Sequence, residues 1–190
     1  EVLKSYFLSN EPIDNSWAIY LLTGKSNKRF VSGRFLKNLF SKVYEYPHWL
    51  IDTCYLKVGD SAEVITLLLK NKNTSRNKKI STITLNKLLS KTLPELSKLN
   101  EEEKNLEIKN IWETLPEDNH LIFNKILTGT FRVGVSVGLI TKSLAKLINV
   151  DEEIISHRLM GDFKPTIDSY KLLINKNINL EELNSKPFPF

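Results

Sequence analysis

The sequence contains few of the residues that stabilise small, loop-rich domains. Its 190 residues include one cysteine, seven glycines and seven prolines. The single cysteine, Cys54, cannot form an internal disulfide, which is typical of a protein kept in a reducing cytoplasm. The low glycine and proline content argues against a loop-rich or all-β chain. A chain of this length buries roughly 70 % of its unfolded surface without a disulfide or metal, so we expect an ordinary globular core.

Long apolar segments are also missing. The sequence has no run of about 18 apolar residues, so we predict no membrane-spanning helix and no membrane partner. The first ten residues, EVLKSYFLSN, do not combine a basic segment with a long apolar one. We therefore predict no signal peptide and expect the protein in the cytoplasm.

Motifs of known catalytic or metal chemistry do not occur. There is no glycine-rich phosphate loop of the Walker or dinucleotide type, no HExxH and no CxxC. The three histidines, His48, His120 and His157, lie far apart, and we expect each at the surface or at the edge of the core. Cys54 lies on an apolar helical face, which predicts a buried structural thiol. The sequence thus predicts no catalytic residue and no metal ligand, and it favours a binding module.

Acidic residues are absent from two long segments, although the net charge is only +5. Six basic residues fall within 15–44 and four within 119–150, whereas the acids collect chiefly within 95–118. This distribution predicts one positive face and one solvated acidic face; scatter among surface charges is the alternative. Residues 70–81 hold five basic residues and are predicted to form a flexible loop, either solvated or touching nucleic acid.

Helical periodicity is present along nearly the whole chain. The helix after Pro47 is expected to place Trp49, Leu50, Cys54 and Tyr55 on its apolar side, because aromatic residues at helical spacing favour the core. Pro94 should break or kink its helix. The sequence predicts an all-α fold of about ten helices in one compact domain. Their approximate positions are 14–22, 33–43, 47–55, 61–69, 83–99, 101–114, 116–127, 136–147, 151–160 and 165–174.

A decapeptide occurs twice. Residues 57–66 read KVGDSAEVIT and residues 132–141 read RVGVSVGLIT, with five identical positions. Each copy places a basic residue and a glycine turn before a serine that starts an apolar-periodic helix. Such a helix start offers free backbone N–H groups and the positive end of the helix dipole to an anion such as phosphate. Two copies predict two phosphate sites, and a nucleic-acid duplex is a ligand with phosphates on both sides.

Several segments together resemble the N-terminal DNA-binding domain of ATP-dependent DNA ligases, most closely the bacterial type. The most specific segment is NKILTGTFRVGVSVGLITKSLA at 124–145, followed by HRLMG at 157–161. Three further segments match the same pattern in order: KRFVSGRF at 28–35, CYLKVGDSAEVITLLL at 54–69 and KPFPF at 186–190. The resemblance covers essentially the whole chain.

The resemblance implies an all-helical domain with a pseudo-twofold internal repeat, in agreement with the two decapeptides. Such domains grip the minor groove of nicked duplex DNA and complete a clamp with the catalytic domains of the same chain. The implied parent enzyme seals nicks in DNA repair, replication and recombination, and the domain would act as a monomer. An active lysine takes AMP from ATP, AMP passes to the 5′-phosphate, and the 3′-hydroxyl displaces it, with Mg²⁺ assisting.

The sequence departs from the complete enzyme in one respect. The ligase nucleophile lies in a Lys-x-Asp-Gly motif, and no Asp-Gly dipeptide occurs among the 190 residues. We therefore expect a helical DNA-binding domain over 1–185 and, over 186–190, the start of a linker to a missing nucleotidyltransferase domain. Such a fragment would hold no cofactor and seal no nicks by itself, and we expect its start to lack a few native residues.

The repeat and the resemblance select three groups of candidate DNA-binding residues. In the second copy they are Gly129, Thr130, Arg132, Gly134, Ser136, Thr141 and Lys142. In the first copy they are Gly59 and Ser61, and the nearby acids Asp60 and Glu63 should weaken that site. A third candidate contact consists of Ser32, Arg34 and Lys37. Because phosphate contacts carry no sequence code, we predict little sequence preference. Structural turns or solvated charges are the alternative for each residue.

A helical protein-interaction module is the alternative function. It would use the acidic face formed by residues 95–118. Capture of a protein partner without any DNA affinity would distinguish it from the DNA-binding domain.

Overall fold

The computed structural model describes residues 1–25, 28–71, 82–132 and 134–176, and these ranges contain helices but no strand. Its helices are α1 (Val2–Ser9), α2 (Pro12–Leu22), α3 (Gly33–Tyr44), α4 (His48–Val58), α5 (Ser61–Lys70), α6 (Leu85–Lys87), α7 (Leu93–Leu96), α8 (Glu101–Thr114), α9 (His120–Thr128), α10 (Val137–Ile148), α11 (Glu152–Met160) and α12 (Ile167–Leu173). A π-helical turn, Leu88–Thr92, joins α6 to α7, so these twelve segments make eleven helices. The all-α fold class with about ten helices is confirmed.

The chain divides into two compact units. The terminal unit comprises residues 1–25 and 133–190 and contains α1, α2, α10, α11 and α12. The central unit comprises residues 26–132 and contains α3 to α9. Most of the predicted loop at 70–81 and the whole predicted linker at 186–190 lie outside the described residues.

The terminal unit is built around α10. This helix packs against α1, α2 and α11, while α12 packs against α2 and α11. Ile140, Leu144 and Ile155 are completely buried in its core. A buried amide adds a polar link, since Asn15 Nδ2 donates to the backbone oxygen of Phe7 at 2.8 Å and to the Tyr170 hydroxyl at 3.2 Å. Helix α1 was not predicted from the sequence, because only Phe7 of its eight residues is buried.

The central unit is built around α5, which packs against α3, α4 and α9. A chain of buried hydrogen bonds crosses its core. Trp112 Nε1 donates to Asn124 Oδ1 at 2.8 Å, and Asn124 Nδ2 donates to Thr66 Oγ1 at 3.0 Å. Because the Trp112, Asn124 and Thr66 side chains are bonded to one another, the network fixes α8, α9 and α5 in one register.

Several predicted helix ends are confirmed and others are wrong. Ser32 accepts a hydrogen bond from the Phe35 N–H at 3.0 Å, and Asn100 forms a reciprocal capping box with Glu103. The predicted helix at 116–127 starts later, at His120, after the 3₁₀ turn Glu117–Asn119. The helix predicted from residue 151 starts at Glu152, and Asp151 occupies its N-cap position without a side-chain cap bond.

Pro94 does not end its helix. It lies in the first turn of α7, where the missing N–H group is not required, and the wider π-helical turn precedes it. The helical path therefore continues from residue 85 to residue 96.

Three predictions about burial are wrong. Trp49 is 68 % exposed, because α4 packs through Ile51 and leaves its predicted apolar side largely in solvent. Cys54 on the same helix is only half-buried. His120, expected at the surface or core edge, is completely buried, and its Nε2 lies 2.9 Å from the backbone oxygen of Trp112.

Candidate nucleic-acid interface

Helices α3 and α5 begin side by side in the central unit. Helix α3 starts at Gly33 and α5 starts at Ser61. A Cβ built on Gly33 would lie 2.6 Å from Ser61 Oγ, a distance that real Cβ atoms essentially never show, and 3.0 Å from Ser61 Cβ, which is tighter than most real contacts. The missing side chain therefore lets the two positive helix ends meet.

A cavity of about 440 Å³ opens at these two helix starts, and we call it the basic pocket. It brings together residues of the first decapeptide copy, residues just before the second copy, and the third candidate contact. Its lining consists of Arg29, Ser32, Gly33, Arg34, Lys37, Tyr55, Gly59, Asp60, Ser61, Ala62, Thr128 and Thr130. The lining carries three cationic side chains and one carboxylate, so its formal charge is positive.

Both helices at the pocket are capped by side chains. Ser32 Oγ accepts from the Phe35 N–H at 3.0 Å, and Asp60 Oδ1 accepts from the Glu63 N–H at 3.0 Å. A cap satisfies one or two of the four N–H groups that a helix start leaves without an intrahelical partner. The first turns of α3 and α5 are therefore suited to bind an anion through the backbone.

The end of α9 holds the segment that leads into the pocket. The Phe30 and Val31 N–H groups both donate to the backbone oxygen of Leu127, at 3.0 and 3.1 Å. Gly129 follows in the left-handed conformation with φ +67°, and a Cβ there would lie 3.2 Å from the Arg29 Cα. The turn thus needs glycine both for its conformation and for the close passage of the neighbouring chain. Its role is to position Arg29.

Thr130 joins this turn to the pocket wall. Its N–H donates to the backbone oxygen of Lys125 at 2.9 Å, and its hydroxyl lies 2.9 Å from that of Thr128. The Thr128 hydroxyl also donates to the backbone oxygen of Asn124 at 2.8 Å. The predicted site residue Thr130 is therefore held in place by the same helix that carries the buried Asn124.

The carboxylate of Asp60 is offset by a lysine. Lys125 Nζ lies 3.1 Å from Asp60 Oδ2, and the two side chains are only 11 % and 26 % exposed. The other oxygen of Asp60 caps α5. The acid that the sequence places beside the first predicted phosphate site is therefore paired, which reduces its repulsion of an anion.

Lys37 also contacts an acid. Its Nζ lies 2.6 Å from Asp52 Oδ1 and 4.6 Å from the centroid of the Tyr55 ring. The hydrogen bond from Lys37, followed by its positive charge, lowers the pKa of the exposed Asp52 carboxyl below its usual value. Arg29 and Arg34 are both exposed at the pocket. Among the three cations, Lys37 has a described carboxylate already in contact.

The start of α10 in the terminal unit repeats much of the local structure of α5. Gly134 has φ +69°, as Gly59 has φ +80°. Ile140 and Ile65 are both completely buried. The Thr141 hydroxyl donates to the backbone oxygen four residues earlier at 2.9 Å, and that of Thr66 does the same at 2.8 Å. The identities in the decapeptide therefore specify a turn, a helix start and a core contact.

Comparison with known protein families identifies the kind of domain that carries these helix starts. The family model described as the DNA ligase N terminus matches residues 1–145 of the chain. The chain belongs to this family. It is thus the N-terminal domain of an ATP-dependent DNA ligase, and DNA is its partner. The matched range includes the whole basic pocket and ends inside α10. The curated proteins gave no match. The bacterial type stays a prediction.

Some of the predicted site residues lie together in the ligase domain, whereas others lie apart. Six of them line the basic pocket, so the first copy and the third candidate contact form one site: Ser32, Arg34, Lys37, Gly59, Ser61 and Thr130. The second copy is divided, since Arg132 ends the central unit and Gly134 belongs to the terminal unit. Both of these residues are exposed, as are Ser136 and Lys142.

The two decapeptide serines differ in role, and one predicted site residue lies in the core. Ser61 is the first residue of α5, whose cap is Asp60, whereas Ser136 caps α10 by accepting from the Leu139 N–H at 3.2 Å. Thr141 is only 5 % exposed, and its hydroxyl is bonded within α10. It belongs to the core rather than to a DNA-binding surface, since the helix turns its side chain inward.

Sequence reasoning missed Arg29, Gly33 and Tyr55 as pocket residues. The sequence could have indicated Arg29, because this residue lies in the acid-free segment 15–44 and close to the Ser32 cap. No sequence pattern connects Tyr55 with Lys37, since their contact is made between two helices. Gly33 becomes important only through the position of Ser61.

Metal ligands and membrane spans were also considered within the described part of the chain. No group of three or more His, Cys, Asp or Glu side chains there is placed to hold a metal ion. None of the described helices has the length and apolar character needed to cross a bilayer.

Proposed function

We propose that this ligase domain binds nicked duplex DNA through phosphate and minor-groove contacts, without sequence preference. The observation that carries the proposal is the paired start of α3 and α5, with Gly33 against Ser61 and with Arg29 and Arg34 at the same pocket. Backbone N–H groups at helix starts bind phosphate oxygens, and arginine adds charge-assisted, bidentate hydrogen bonds. Such contacts position a duplex without reading its bases.

The start of α10 supplies a second phosphate-binding surface. Ser136, Val137 and Leu139 are exposed in its first turn, and Lys142 follows one turn later. The helix start and Lys142 suit phosphate, whereas the two apolar side chains suit the sugar edges that line a groove. Gly134, with its positive φ, leaves the backbone open to close approach.

Within the parent enzyme, we propose that the domain holds the nicked duplex for catalytic domains on the same chain. That enzyme would seal nicks in repair, replication and recombination, using ATP and Mg²⁺ bound outside the described residues. No step of that chemistry is assigned to the residues described in this domain. The domain itself would act as a monomer, so one chain would bind one site.

Fluorescence anisotropy of the chain with nicked duplex, intact duplex and single-stranded DNA tests the proposal. Both duplexes should bind, and the nicked one should bind at least as tightly. Neutralisation of about four to six phosphates should give a slope of roughly −4 to −5 for log affinity against log salt. A slope near zero would contradict phosphate recognition. Binding to single-stranded DNA without binding to either duplex would contradict recognition of a duplex.

A protein-interaction module is the second candidate, and one groove favours it. Helices α3 and α8 leave a cavity of about 400 Å³ between them, where Leu106 is 60 % exposed beside Val43. Capture of a protein by the wild-type chain, lost in Leu106→Asp, combined with no duplex binding at low salt, would support this candidate over the first.

A further inference from the structure

We propose that Asp52 is an internal phosphate mimic: its carboxylate holds Lys37 in the free domain and lowers the affinity for DNA. A phosphate oxygen of the duplex would take the place of the carboxylate on Lys37. The inference rests on the proposed function, since it assigns Lys37 to the same phosphate-binding pocket.

Three side chains define the arrangement. Asp52 and Tyr55 lie three residues apart on α4, so they share one side of that helix. Lys37 extends from α3 between them, with its Nζ 2.6 Å from Asp52 Oδ1 and 4.6 Å from the Tyr55 ring centroid. Lys37 and Tyr55 both line the basic pocket. The ammonium group is therefore placed at the pocket with an anionic oxygen already in contact.

The exposure of the two partners favours exchange over permanent pairing. The Asp52 side chain is 61 % exposed, whereas that of Lys37 is 19 % exposed. A carboxylate so open to water can release the ammonium at little cost, because exposed ion pairs contribute little to stability. Lys37, by contrast, is held near the pocket by its stem and by the Tyr55 ring. A phosphate group that enters the pocket could therefore bind Lys37 where it already lies and displace the Asp52 carboxylate.

Asp52 differs in this respect from the other acid of the site. Asp60 caps α5 through one oxygen and pairs with the largely buried Lys125 through the other. Asp52 lies in the interior of α4, and the caps of α4 and α5 are Pro47 and Asp60. Asp60 therefore has a role in the fold, whereas the hydrogen bond of Asp52 is to Lys37, with Arg34 and His48 as weaker electrostatic neighbours.

The lowered pKa of Asp52 agrees with this role. The Lys37 hydrogen bond and then its charge lower the pKa of a carboxyl that is in any case ionised in the physiological pH range. The competitor is thus present whenever the domain meets DNA. Exchange of one anionic oxygen for another leaves Lys37 charge-paired in both states, so Asp52 tunes affinity without abolishing binding.

Asp52→Asn should tighten binding of nicked duplex by about threefold, as expected for loss of an exposed competing ion pair. Asp52→Ser is the second variant and should act in the same direction. Asp118→Asn is the matched control, since it removes the same charge from the central unit. Asp118 precedes the first turn of α9, whereas the pocket residue Thr128 ends that helix. Thermal unfolding of each variant verifies its fold.

A double-mutant cycle separates competition for Lys37 from a general loss of negative charge. In a Lys37→Met background, Asp52→Asn should give a clearly smaller gain, because the carboxylate then has no lysine to occupy and acts only through its weaker interactions with Arg34 and His48. An equal gain in both backgrounds would mean long-range repulsion of DNA and would overturn the proposal. So would unchanged or weaker binding by both Asp52 variants while the wild-type chain binds duplex in a salt-sensitive manner.

The same titration distinguishes this inference from the function on which it rests. If the wild-type chain binds no duplex at low salt, the proposed function fails, and the phosphate-mimic role of Asp52 fails with it. If the wild type binds and only the Asp52 variants lack the expected gain, the proposed function stands and the role of Asp52 is overturned.

Discussion

Gly33 and Ser61 lie so close that a Cβ on the glycine would be 2.6 Å from Ser61 Oγ. This single approach sets the distance between the starts of α3 and α5, and hence the shape of the basic pocket. The two residues are 28 positions apart in the sequence, and each starts a helix. The pocket that these two helix starts form is therefore sensitive to one methyl group.

Gly33→Ala should destabilise the domain and weaken its binding to duplex DNA. The added Cβ must push Ser61 and the start of α5 away, and such overpacking costs about 1–3 kcal/mol. Thermal unfolding and anisotropy measure the two effects. Ser61→Ala in the same chain should restore only part of the stability, because the Ser61 Cβ would remain 3.0 Å away.

Gly138→Ala provides the matched control for stability. Gly138 lies within α10, and a Cβ there meets only Ser136 Oγ at 3.9 Å. Alanine should therefore stabilise this helix by about 0.5–1 kcal/mol. If Gly33→Ala were as harmless as Gly138→Ala, the close approach of α3 and α5 would not limit the pocket.

Replacement of Arg29 or Arg34 by alanine should weaken binding to all duplex sequences alike. Each arginine is exposed at the basic pocket, and a phosphate contact adds affinity without sequence information. Loss of one contact should also reduce the steepness of the salt dependence by roughly 0.9. Arg132→Ala should behave in the same way if this exposed residue reaches a phosphate.

Lys98→Ala is the control for these arginine variants. Lys98 is exposed just after α7, within the acidic segment 95–118. It removes one positive charge from the same unit but none from the pocket. A loss of affinity equal to that of Arg34→Ala would show that net charge, rather than the pocket, decides binding.

The sequence was sufficient for the helical fold because helix signals are local. The Ser32 and Asn100 caps and the three-to-four-residue apolar spacing specify their helices without distant contacts. The exposure of Trp49 was beyond such reasoning. Periodicity shows which residues share a side of a helix, but the packing of α4 through Ile51 decides which side is covered.

The candidate site was predictable in its residue types and less so in its geometry. The decapeptide repeat correctly marked two glycine turns followed by helix starts. It could not show that Asp60, rather than Ser61, caps α5, because both residues are acceptable caps. Nor could it show that Arg34 and Gly59 share one pocket, since that depends on the packing of α3 against α5.

His120 should make the stability of the central unit depend on pH. Burial lowers the pKa of its imidazole below the ordinary value of 6.5, so the folded state favours the neutral ring. This stabilisation is complete above pH 6.5 and is lost as the pH falls from there through the lower pKa of the folded state. The unfolding temperature should therefore decline as the pH falls below about 6.5. His120→Gln should reduce that slope, whereas His48→Gln, at an exposed position, should retain it.

Lys125→Met should weaken DNA binding even though Lys125 does not line the basic pocket. The substitution leaves the Asp60 carboxylate, 26 % exposed, without the ammonium group 3.1 Å away. We expect a loss of stability of about 1–2 kcal/mol, below the range for fully buried pairs because both side chains retain some exposure. The unpaired carboxylate at the pocket should also repel phosphate.

Asp60→Asn added to Lys125→Met should recover affinity, because asparagine is a good N-cap without charge. Titration of both variants with nicked duplex, beside chemical unfolding, measures this recovery; if affinity stays low while stability returns, Lys125 acts on DNA by a route other than Asp60.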